Sequence, residues 1–595
     1  MNAFSRTSRL RLRRQMRRHT RHAETQLQQV EEKFESDVIN RLEHLVEARR
    51  FVFGWLLLAT VMVGLTVLQS LNLSGLYQQF RPSVGGSYNE GMIGTYSGAN
   101  PIFATGLVDT AASKLLFAGL LTYDENNQLV GDLAEKYEAS ETGQAYTVFL
   151  RSGLTWHDGK PITADDVVYT FSLIQNPDVK SPLFASWQGI TVTKLTPLSV
   201  RFTLPGTLAS FPHSLTTGIL PKHRISKIPP KELRSNTFNT TSPIGSGPYM
   251  WQALQLSSAT EAGSSTGILS LEAFPAFHAG RANIDHFYIH TYENEQQLLT
   301  AYADRTINAI AGLKNIPSAI SEDTGSVVLS YRTTAATMVF LKNDGVLADN
   351  TVRKALSLAT NRDSIIKQLD SRFVALKTPL LPGQVGFDRV YAQPAPSLEQ
   401  AKQLLQTDGW EVGKNGIRVK DKKPLSIRLY AEDTLDNQVV ARELAKQWKA
   451  AGVYLIPVLQ QNTDFQVTVQ VHSYEALLQG ISIGADPDVF AYWHSSQADV
   501  RLQSRLNFSE YKSSVTDAAL EAGRTRTDPV SRALKYKPFL KAWQEDTPAI
   551  PLYEPTINYV TRGQVIGQKA HRINIETDRY NDVYKWAVTL KQSTK

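Results

Sequence analysis

The most continuous apolar stretch of the chain runs from Phe51 to Leu68. It reads FVFGWLLLATVMVGLTVL, 18 residues without a charge, and the weakly polar QSLNL extends it. A helix needs roughly 20 mainly apolar residues to cross the hydrocarbon core of a bilayer. The pattern therefore predicts a single transmembrane helix over residues 51–72, followed by a linker over residues 73–84.

The residues that flank this stretch predict its orientation. Eight arginines and no acid lie from Arg6 to Arg21, and Arg49 and Arg50 adjoin the apolar stretch. The positive-inside rule places residues 1–50 in the cytoplasm and the rest of the chain outside. A cleaved signal peptide is the alternative, but the preceding segment is too long for one and no clear A-x-A cleavage site follows.

Within the first 50 residues, apolar positions recur at helical spacing. They step by 3, 4, 4, 4 and 3 residues, which predicts an amphipathic helix with one apolar stripe. The stripe consists of Leu27, Val30, Phe34, Val38, Leu42 and Leu45. Three arrangements are compatible with it: pairing with a second copy, lying on the inner leaflet, or an ordinary solvated helix.

Beyond about residue 85, strand and helix patterns alternate. AYTVFLR, ILSLEAF and PLSIRLYAED are typical of strands, whereas SLEQAKQLLQTDGW and NQVVARELAKQWKAAGV have helical periodicity and end near a glycine. SSATEAGSSTG, from Ser257 to Gly267, predicts a hairpin tip. A chain of 595 residues is too long for one core, so we predict an α/β or α+β domain with two lobes.

One polar cluster of this domain has the composition of a catalytic or metal site. The stretch LTWHDGKPITADDVVYTF places His157 beside Asp158, and Asp165 beside Asp166. Thr163 and Asp166 have the spacing of a capping box, and acids are favoured in the first turn of a helix. Helix capping therefore accounts for the acidic pair, and we assign it no catalytic or metal-binding role.

Composition and the remaining motifs narrow the function classes. The net charge is +7, of which the first 50 residues hold +5 (12 Lys and Arg less 7 Asp and Glu), so +2 remains, too little to indicate nucleic-acid binding. The lack of cysteine excludes disulfides and thiolate chemistry.

Two further motifs give no sign of a catalytic or metal site. The glycine-rich motif GSGPY is not a phosphate-binding loop, because the lysine of such a loop is missing. His286 and His290 lie in a strand pattern, about 13 Å apart at about 3.3 Å per residue. We predict a binding protein without a metal or cofactor, not an enzyme.

The segment from Gly119 to Phe171 resembles a known family. Its elements GLLTYD, DLAEKYE and FLRSGLTWHDGKPITADDVVYTF are similar, in order and spacing, to the signature region of the family 5 extracellular solute-binding proteins. These are the oligopeptide-, dipeptide- and nickel-binding receptors of ABC importers. SPIGSGPYMW, ADNTVRKALSLATNRDSII, IGADPDVFAYWHSSQ and TPAIPLYEP resemble later landmarks of the family, so the resemblance covers about residues 85–590.

The resemblance implies a two-lobed α/β fold of the periplasmic-binding-protein type (type II, peptide-receptor class) over residues 85–595. Lobe I would take residues 85–333 and 552–595, and lobe II residues 334–551. A peptide would bind between the lobes, and the closed form would be presented to ABC permease subunits. The chain would then be a single-pass plasma-membrane receptor with its solute-binding domain outside the cell.

Two segments are candidates for the ligand cleft. GADPDVFAYWHSSQ combines acids, aromatics and a histidine around Pro487, a composition suited to a ligand mouth. Turn formation and core packing explain this composition equally well. By resemblance, this loop and GTYSGANP border the cleft. The predicted ligand-binding residues are Tyr96, Asn100, Asp486, Asp488, Tyr492, Trp493 and His494.

Position 483 departs from the family pattern. Many peptide-binding members carry an aspartate four residues before the proline of this loop, and that aspartate pairs with the α-ammonium of the peptide. Ile483 occupies this position here and cannot balance a cation. Either Asp486 or Asp488 takes over the role, or the ligand has no free amine at this point.

Two other functions stay open from the sequence. One is an importer receptor of the same fold with a non-peptide ligand, such as a metal chelate or a glycan. The other is a transmembrane sensor or scaffold in which residues 1–50 act on cytoplasmic partners. No recognisable cytoplasmic signalling domain supports the second.

Overall fold

The computed structural model of the chain describes residues 33, 49–76, 79–257, 266–313, 315–369, 373–499, 501–502 and 505–593. The chain divides into two compact units, Met1–Arg81 with Lys591–Lys595, and Pro82–Leu590. The apolar positions of the predicted amphipathic stripe lie outside the described residues, as does most of the predicted hairpin tip.

The first unit contains a long helix, α1, which spans Arg49–Leu76. Its described side chains, those of residues 53–69, are all exposed, Phe53 by 73% and Trp55 by 62%. Among the described residues, no helix is both long enough and apolar enough to cross a membrane. The transmembrane helix predicted over residues 51–72 is therefore not confirmed.

Strands and helices alternate along most of the remaining chain. The strands are β1 Gln79–Ser83, β2 Ser87–Ile93, β3 Leu121–Tyr123, β4 Leu129–Gly131, β5 Ala134–Ala139, β6 Ala145–Leu150, β7 Thr191–Thr196, β8 Ser199–Thr203, β9 Tyr249–Leu256, β10 Gly267–Ala273, β11 His286–Tyr292, β12 Ala309–Leu313, β13 Ser326–Thr333, β14 Ala335–Leu341, β15 Val374–Ala375, β16 Glu411–Val412, β17 Arg418–Lys420, β18 Lys423–Pro424, β19 Ser426–Glu432, β20 Tyr454–Gln460, β21 Ala476–Ser482, β22 Ala549–Glu554, β23 Thr556–Arg562, β24 Arg572–Ile573 and β25 Thr589–Ser593. The helices after α1 are α2 Leu107–Leu116, α3 Ala164–Ile174, α4 Lys222–Ile225, α5 Thr237–Thr240, α6 Glu295–Ala303, α7 Ser318–Ser321, α8 Asn350–Ala359, α9 Arg362–Leu369, α10 Leu398–Thr407, α11 Leu435–Ala450, α12 Asn462–Gln470, α13 Phe490–Trp493, α14 Ser514–Arg524 and α15 Pro529–Asp546.

The larger sheet has eight strands in the order β24-β13-β23-β12-β2-β11-β10-β9. Strand β2 runs parallel to β11 and β12, whereas β23 runs antiparallel to β12 and β13. A four-stranded sheet, β5-β6-β8-β7, belongs to the same part of the chain. The core beside these sheets contains the fully buried rings of Tyr88, Trp156, Phe171 and Trp586. Segments from both ends of this unit, which contain Tyr88 and Trp586, therefore share one core.

The second sheet has six strands in the order β15-β22-β14-β21-β19-β20. Because successive side chains of a strand point to opposite faces, β14 serves two cores at once. Val339 and Leu341 lie in one core, which α8 and α11 also line, and Met338 and Phe340 lie in the other, which α15 also lines.

The chain passes between the two sheets at two places. Strand β13 of the first sheet ends at Thr333 and β14 of the second begins at Ala335; β22 ends at Glu554 and β23 begins at Thr556. Each sheet has its own apolar core. The molecule therefore has a two-lobed α/β fold, and we call the parts with the eight-stranded and six-stranded sheets lobe I and lobe II.

Helix α3 begins where the acidic pair predicts. Its N-cap is Thr163, whose N–H donates to Asp166 Oδ2 over 2.9 Å. The N–H of Lys222 donates to the other oxygen of Asp166 over 3.0 Å. Asp165 lies at the surface and pairs with Lys194, Nζ to Oδ2, over 2.5 Å. The capping interpretation of the TADD stretch is confirmed.

The GSGPY motif packs against the end of helix α2. A Cβ added to Gly245 would lie 1.9 Å from the carbonyl oxygen of Leu116, and one added to Gly247 would lie 2.5 Å from that of Leu115. The N–H of Gly247 donates to Leu116 O over 2.8 Å. These glycines therefore permit two backbone segments to touch.

Candidate functional site

The loop that follows strand β21 approaches the other lobe; we call residues 483–489 the Asp486 loop. It begins with Ile483, which is 7% exposed and lies in a core of lobe II. Gly484 has a φ of +82°, a conformation that favours glycine, and its carbonyl accepts a hydrogen bond from Gln384 Nε2 over 2.7 Å. The conformation of Gly484 and its hydrogen bond with Gln384 thus fix the turn that precedes Asp486 and Asp488.

Asp486 is held by helix α15. Arg532 donates from Nη1 to Oδ2 of Asp486 over 2.5 Å and from Nη2 to Oδ1 over 2.6 Å. Its Nε donates to the carbonyl of Gly523 over 3.0 Å. Burial alone lowers the pKa of Arg532, but the hydrogen bonds and charge of Asp486 outweigh it and raise that pKa above its ordinary value. Arg532 therefore keeps its positive charge.

Asp488 is held by helix α14 and touches lobe I. Arg524 Nε donates to Asp488 Oδ2 over 3.1 Å, and Ser210 Oγ lies 3.4 Å from the same oxygen. Burial raises the pKa of Asp488, and the charge of Arg524 opposes this effect. The N–H of Ala209 also donates to the carbonyl of Arg524 over 2.8 Å, so the two lobes meet here through backbone as well as side chains.

His213 of lobe I faces the Asp486 loop. Its Nε2 lies 3.6 Å from Asp486 Oδ2, and its Nδ1 lies 2.9 Å from the hydroxyl of Tyr123. The rings of Tyr123 and His213 stack with their centroids 5.8 Å apart. Burial lowers the pKa of His213, which the charge of Asp486 only partly offsets. The imidazole is therefore neutral at neutral pH.

A cavity of about 540 Å³ lies beside Tyr123. All the residues that line it belong to lobe I, within residues 101–279 and 575–585. Lys114 lies 3.7 Å from Asp578, and His278 lies 2.8 Å from Asp132, so these polar side chains in its wall have partners. The volume falls within the range of about 300–1,000 Å³ that is usual for ligand pockets.

Tyr96 and Asn100 are both hydrogen-bonded to Asn239 of lobe I. The hydroxyl of Tyr96 donates to the carbonyl of Asn239 over 3.1 Å, and Nδ2 of Asn100 donates to Oδ1 of the same residue over 2.8 Å. The ring of Tyr96 stacks on Trp251 with centroids 5.7 Å apart. Asn100 is buried, whereas Tyr96 is partly exposed.

The aromatic end of GADPDVFAYWHSSQ is mostly buried in lobe II. Trp493 is fully buried and stacks on Phe340 at 5.7 Å. His494 is buried, stacks on Phe490 at 4.0 Å, and has Nε2 3.2 Å from a carboxylate oxygen of Glu521. Tyr492 is partly exposed, and its hydroxyl donates to Ser482 O over 2.7 Å. Of these three, Tyr492 is the most open to a ligand.

Sequence reasoning missed the residues that surround the two acids. Arg532 and Arg524 lie 46 and 36 positions from the acids that they bind. His213 lies on the other lobe, in SFPHSL, where no repeated spacing or charge pattern marks it. The two neighbouring acids of the loop are the one local signal from which basic partners elsewhere in the chain could have been predicted.

No group of three or more metal-binding side chains occurs within the described residues. His286 and His290 lie on strand β11, as predicted. The Nε2 of His290 lies 3.0 Å from Oδ1 of Asn89, so this ring has a structural partner.

The sequence matches the family described as bacterial extracellular solute-binding proteins, family 5 Middle, over residues 128–501. It is 27% identical over 538 residues, 87% of this chain and 94% of the relative, to the oligopeptide-binding protein AppA of Bacillus subtilis (strain 168). The structure of AppA in complex with a nonapeptide is similar, with a TM-score of 0.62, 24% identity and coverage of 86% of this chain and 100% of that one. NikZ from Campylobacter jejuni in complex with Ni(L-His) has a TM-score of 0.65, 24% identity and coverage of 84% and 99%.

The two-lobed α/β fold is of the periplasmic-binding-protein type. The family match and the relatives identify the chain as a substrate-binding receptor. The chain belongs to the bacterial extracellular solute-binding proteins of family 5. Because the members of this family bind solutes and do not transform them, the prediction that the chain is not an enzyme is confirmed.

Proposed function

We propose that this receptor binds peptides between its lobes and delivers them to the permease of an ABC importer. The observation that carries the proposal is the approach of the Asp486 loop of lobe II to His213 of lobe I, Nε2 to Oδ2 over 3.6 Å. The relative AppA is an oligopeptide-binding protein, which supports peptides as the ligand class.

The proposed lobe boundaries are residues 85–333 with 552–595 for lobe I, and residues 334–551 for lobe II. The direct succession of β13 and β14 supports the first boundary. Because β22 belongs to the six-stranded sheet as far as Glu554, and β23 begins at Thr556, we propose Pro555 rather than residue 552 as the second crossover. Two short crossovers let one lobe rotate on the other without disturbing either sheet. Ligand binding would then shift the population toward the closed form, because the closed form makes more contacts with the ligand.

The predicted ligand-binding residues divide into two proposed roles. Tyr96 and Tyr492 keep partly exposed rings, so we assign them direct contact with the peptide. Asn100, Trp493 and His494 are buried, so we assign them the positioning of the two cleft segments. Asp486 is paired with Arg532 and Asp488 with Arg524, so we assign these acids the fixing of the Asp486 loop beside the other lobe.

We propose that the apolar segment over residues 51–72 anchors the receptor in the plasma membrane, with residues 1–50 inside and the solute-binding domain outside. The uncharged run from Phe51 to Leu68 and the arginines on its N-terminal side support this topology. The exposed apolar side chains of α1, with Phe53 73% and Leu57 70% exposed, also favour a lipid environment.

Mass spectrometry of small molecules that co-purify with the full-length protein in detergent tests the proposed ligand class. Peptides are the expected ligands; a metal chelate or a glycan would replace them if only the fold is shared with the peptide receptors. For the topology, single cysteines at Ser8 and Ser152 are informative because the chain has no native cysteine. In intact cells an impermeant maleimide should label only the Ser152 variant, and the reverse pattern would refute the anchor.

A further inference from the structure

The two lobes touch at a place that is distant in sequence from both crossovers. Residues 209–213 of lobe I there meet residues 486–488 and 524 of lobe II, and we call the form in which they meet the closed form. The N–H of Ala209 donates to the carbonyl of Arg524 over 2.8 Å, and Ser210 Oγ lies 3.4 Å from Asp488 Oδ2. These contacts join protein to protein, so they stabilise the closed form without any contribution from a ligand.

His213 is the group of this contact whose ordinary pKa, 6.5, lies near neutral pH. Its Nδ1 lies 2.9 Å from the hydroxyl of Tyr123, and its Nε2 lies 3.6 Å from Asp486 Oδ2. A neutral ring suits both neighbours, because Nδ1 can accept from the phenol while Nε2 carries the proton beside the carboxylate. A protonated ring has an N–H on both nitrogens, so Nδ1 can no longer accept this hydrogen bond.

The charges next to the ring do little to stabilise an imidazolium. Asp486 attracts it, but Arg532 binds both oxygens of Asp486, over 2.5 and 2.6 Å, and already balances this carboxylate. The charge of Arg532 also repels a proton on the ring. Burial of His213 is the largest effect and lowers its pKa in the closed form.

Two other titratable groups face this contact. Burial raises the pKa of Tyr123, which is neutral at neutral pH. Oδ1 of Asp488 is buried without a hydrogen-bond partner, and burial raises the pKa of this acid against the charge of Arg524. A proton on Asp488 would thus favour the closed form, but its ordinary pKa is 3.8, so this effect belongs to more acidic conditions.

We propose that His213 is a pH-sensitive latch, which holds the lobes together while its ring is neutral and releases them when the ring is protonated. The latch rests on the lobe movement of the proposed function. In the open form the ring is hydrated and takes up a proton at its ordinary pKa, whereas the closed form takes it up only at lower pH. The closed form is therefore fully favoured above pH 6.5 and becomes less favoured as the pH falls through this value.

The distance between the lobes, measured by double electron–electron resonance, tests the latch. Because the chain has no native cysteine, spin labels at Arg201→Cys in lobe I and Lys535→Cys in lobe II, both exposed positions, report this distance alone. In the full-length protein in detergent, the ratio of long to short distances should rise by at least about threefold between pH 7.5 and pH 5.5. An unchanged or falling ratio would overturn the latch.

A matched pair of variants tests the assignment to His213. His213→Gln keeps an acceptor for Tyr123 and a donor for Asp486 but cannot be protonated, so its distance ratio should not change over this pH range. His223→Gln is the control, because His223 pairs with Asp158 inside lobe I over 2.8 Å, and it should respond like the wild type. Thermal unfolding at both pH values checks that the variants fold, and the wild-type measurement does not depend on them. A full response in folded His213→Gln would contradict the assignment.

Capture of a randomised nonapeptide library at pH 7.5 tests the receptor function separately. Capture without a pH response of the distance would refute the latch and leave the peptide-receptor function intact. A pH response without capture would support the latch and refute peptides as the ligand class.

Discussion

Asp486 and Arg532 form a bidentate ion pair, with nitrogen–oxygen distances of 2.5 and 2.6 Å. The pair fixes the Asp486 loop of lobe II to helix α15. Their side chains are only 10% and 6% exposed. Removal of one partner from such a pair leaves the other charge buried and uncompensated. The pair therefore contributes to the stability of lobe II and sets the electrostatics of the cleft at the same time.

We expect Asp486→Asn to lower the free energy of unfolding by about 3–5 kcal/mol, because the Arg532 guanidinium loses its counter-ion. Urea unfolding of the full-length protein measures the change. Glu138→Gln is the control: its ion pair with Lys136 is as short, 2.6 Å, but both side chains are more than half exposed, so little change is expected. Equal losses in the free energy of unfolding for the two substitutions would show that burial does not increase the contribution of the Asp486 pair.

The neighbouring acids Asp165 and Asp166 should differ in their effect on stability. Asp166→Ala removes the acceptor for the N–H groups of Thr163 and Lys222, and loss of a cap typically costs about 0.5–2 kcal/mol. Asp165→Ala removes only surface pairs, with Lys194 and Lys222, and should matter little. Thermal unfolding of both variants checks this. Loss of ligand affinity in Asp166→Ala without loss of stability would instead place the acid in a binding site.

The features that the sequence predicted well are those set by neighbours in the chain. The cap at Thr163 follows from a spacing of three residues, and strand β6, Ala145–Leu150, follows from its alternation, with Tyr146, Val148 and Leu150 buried. In both cases the physical cause lies within one turn or one strand, so local reasoning suffices.

The cleft could be predicted only in part, because its contacts join distant segments. The Asp486 loop was identified from its composition, but neither Arg532 nor His213 has a local signal that links it to this loop. Trp493 shows a second limit. An aromatic residue beside acids is typical of both a ligand mouth and a core, and only the packing of Trp493 against Phe340 distinguishes the two.

The glycines of GSGPY provide a test of close backbone packing. Gly245→Ala would place a Cβ 1.9 Å from the carbonyl oxygen of Leu116, so helix α2 or the motif must shift, at a cost of at least about 1–3 kcal/mol. Gly206→Ala is the matched control, since an added Cβ there has no neighbour within 4 Å. The unfolding temperature should fall only for the first variant. If both variants melt like the wild type, the backbone contact at Gly245 is not tight.

A buried histidine should make the stability of the protein depend on pH. His290 is 6% exposed, and burial lowers its pKa from the ordinary 6.5 to about 4. Its contribution is fully present above pH 6.5, where the ring is neutral in both states. As the pH falls from 6.5 toward 4, the unfolded chain takes up a proton that the folded chain does not, so stability decreases.

The expected loss over that interval is on the order of 3 kcal/mol, since one pKa unit corresponds to about 1.4 kcal/mol. Below pH 4 both states are protonated and this contribution no longer changes. His290→Gln removes the titrating group and keeps a donor for Oδ1 of Asn89, which lies 3.0 Å from Nε2 of the wild-type ring. Urea unfolding at a series of pH values should therefore give a shallower decline for the variant between pH 6.5 and 4 and similar stability of the two proteins above pH 7. Parallel curves over the whole range would show that His290 titrates alike in the folded and unfolded chains.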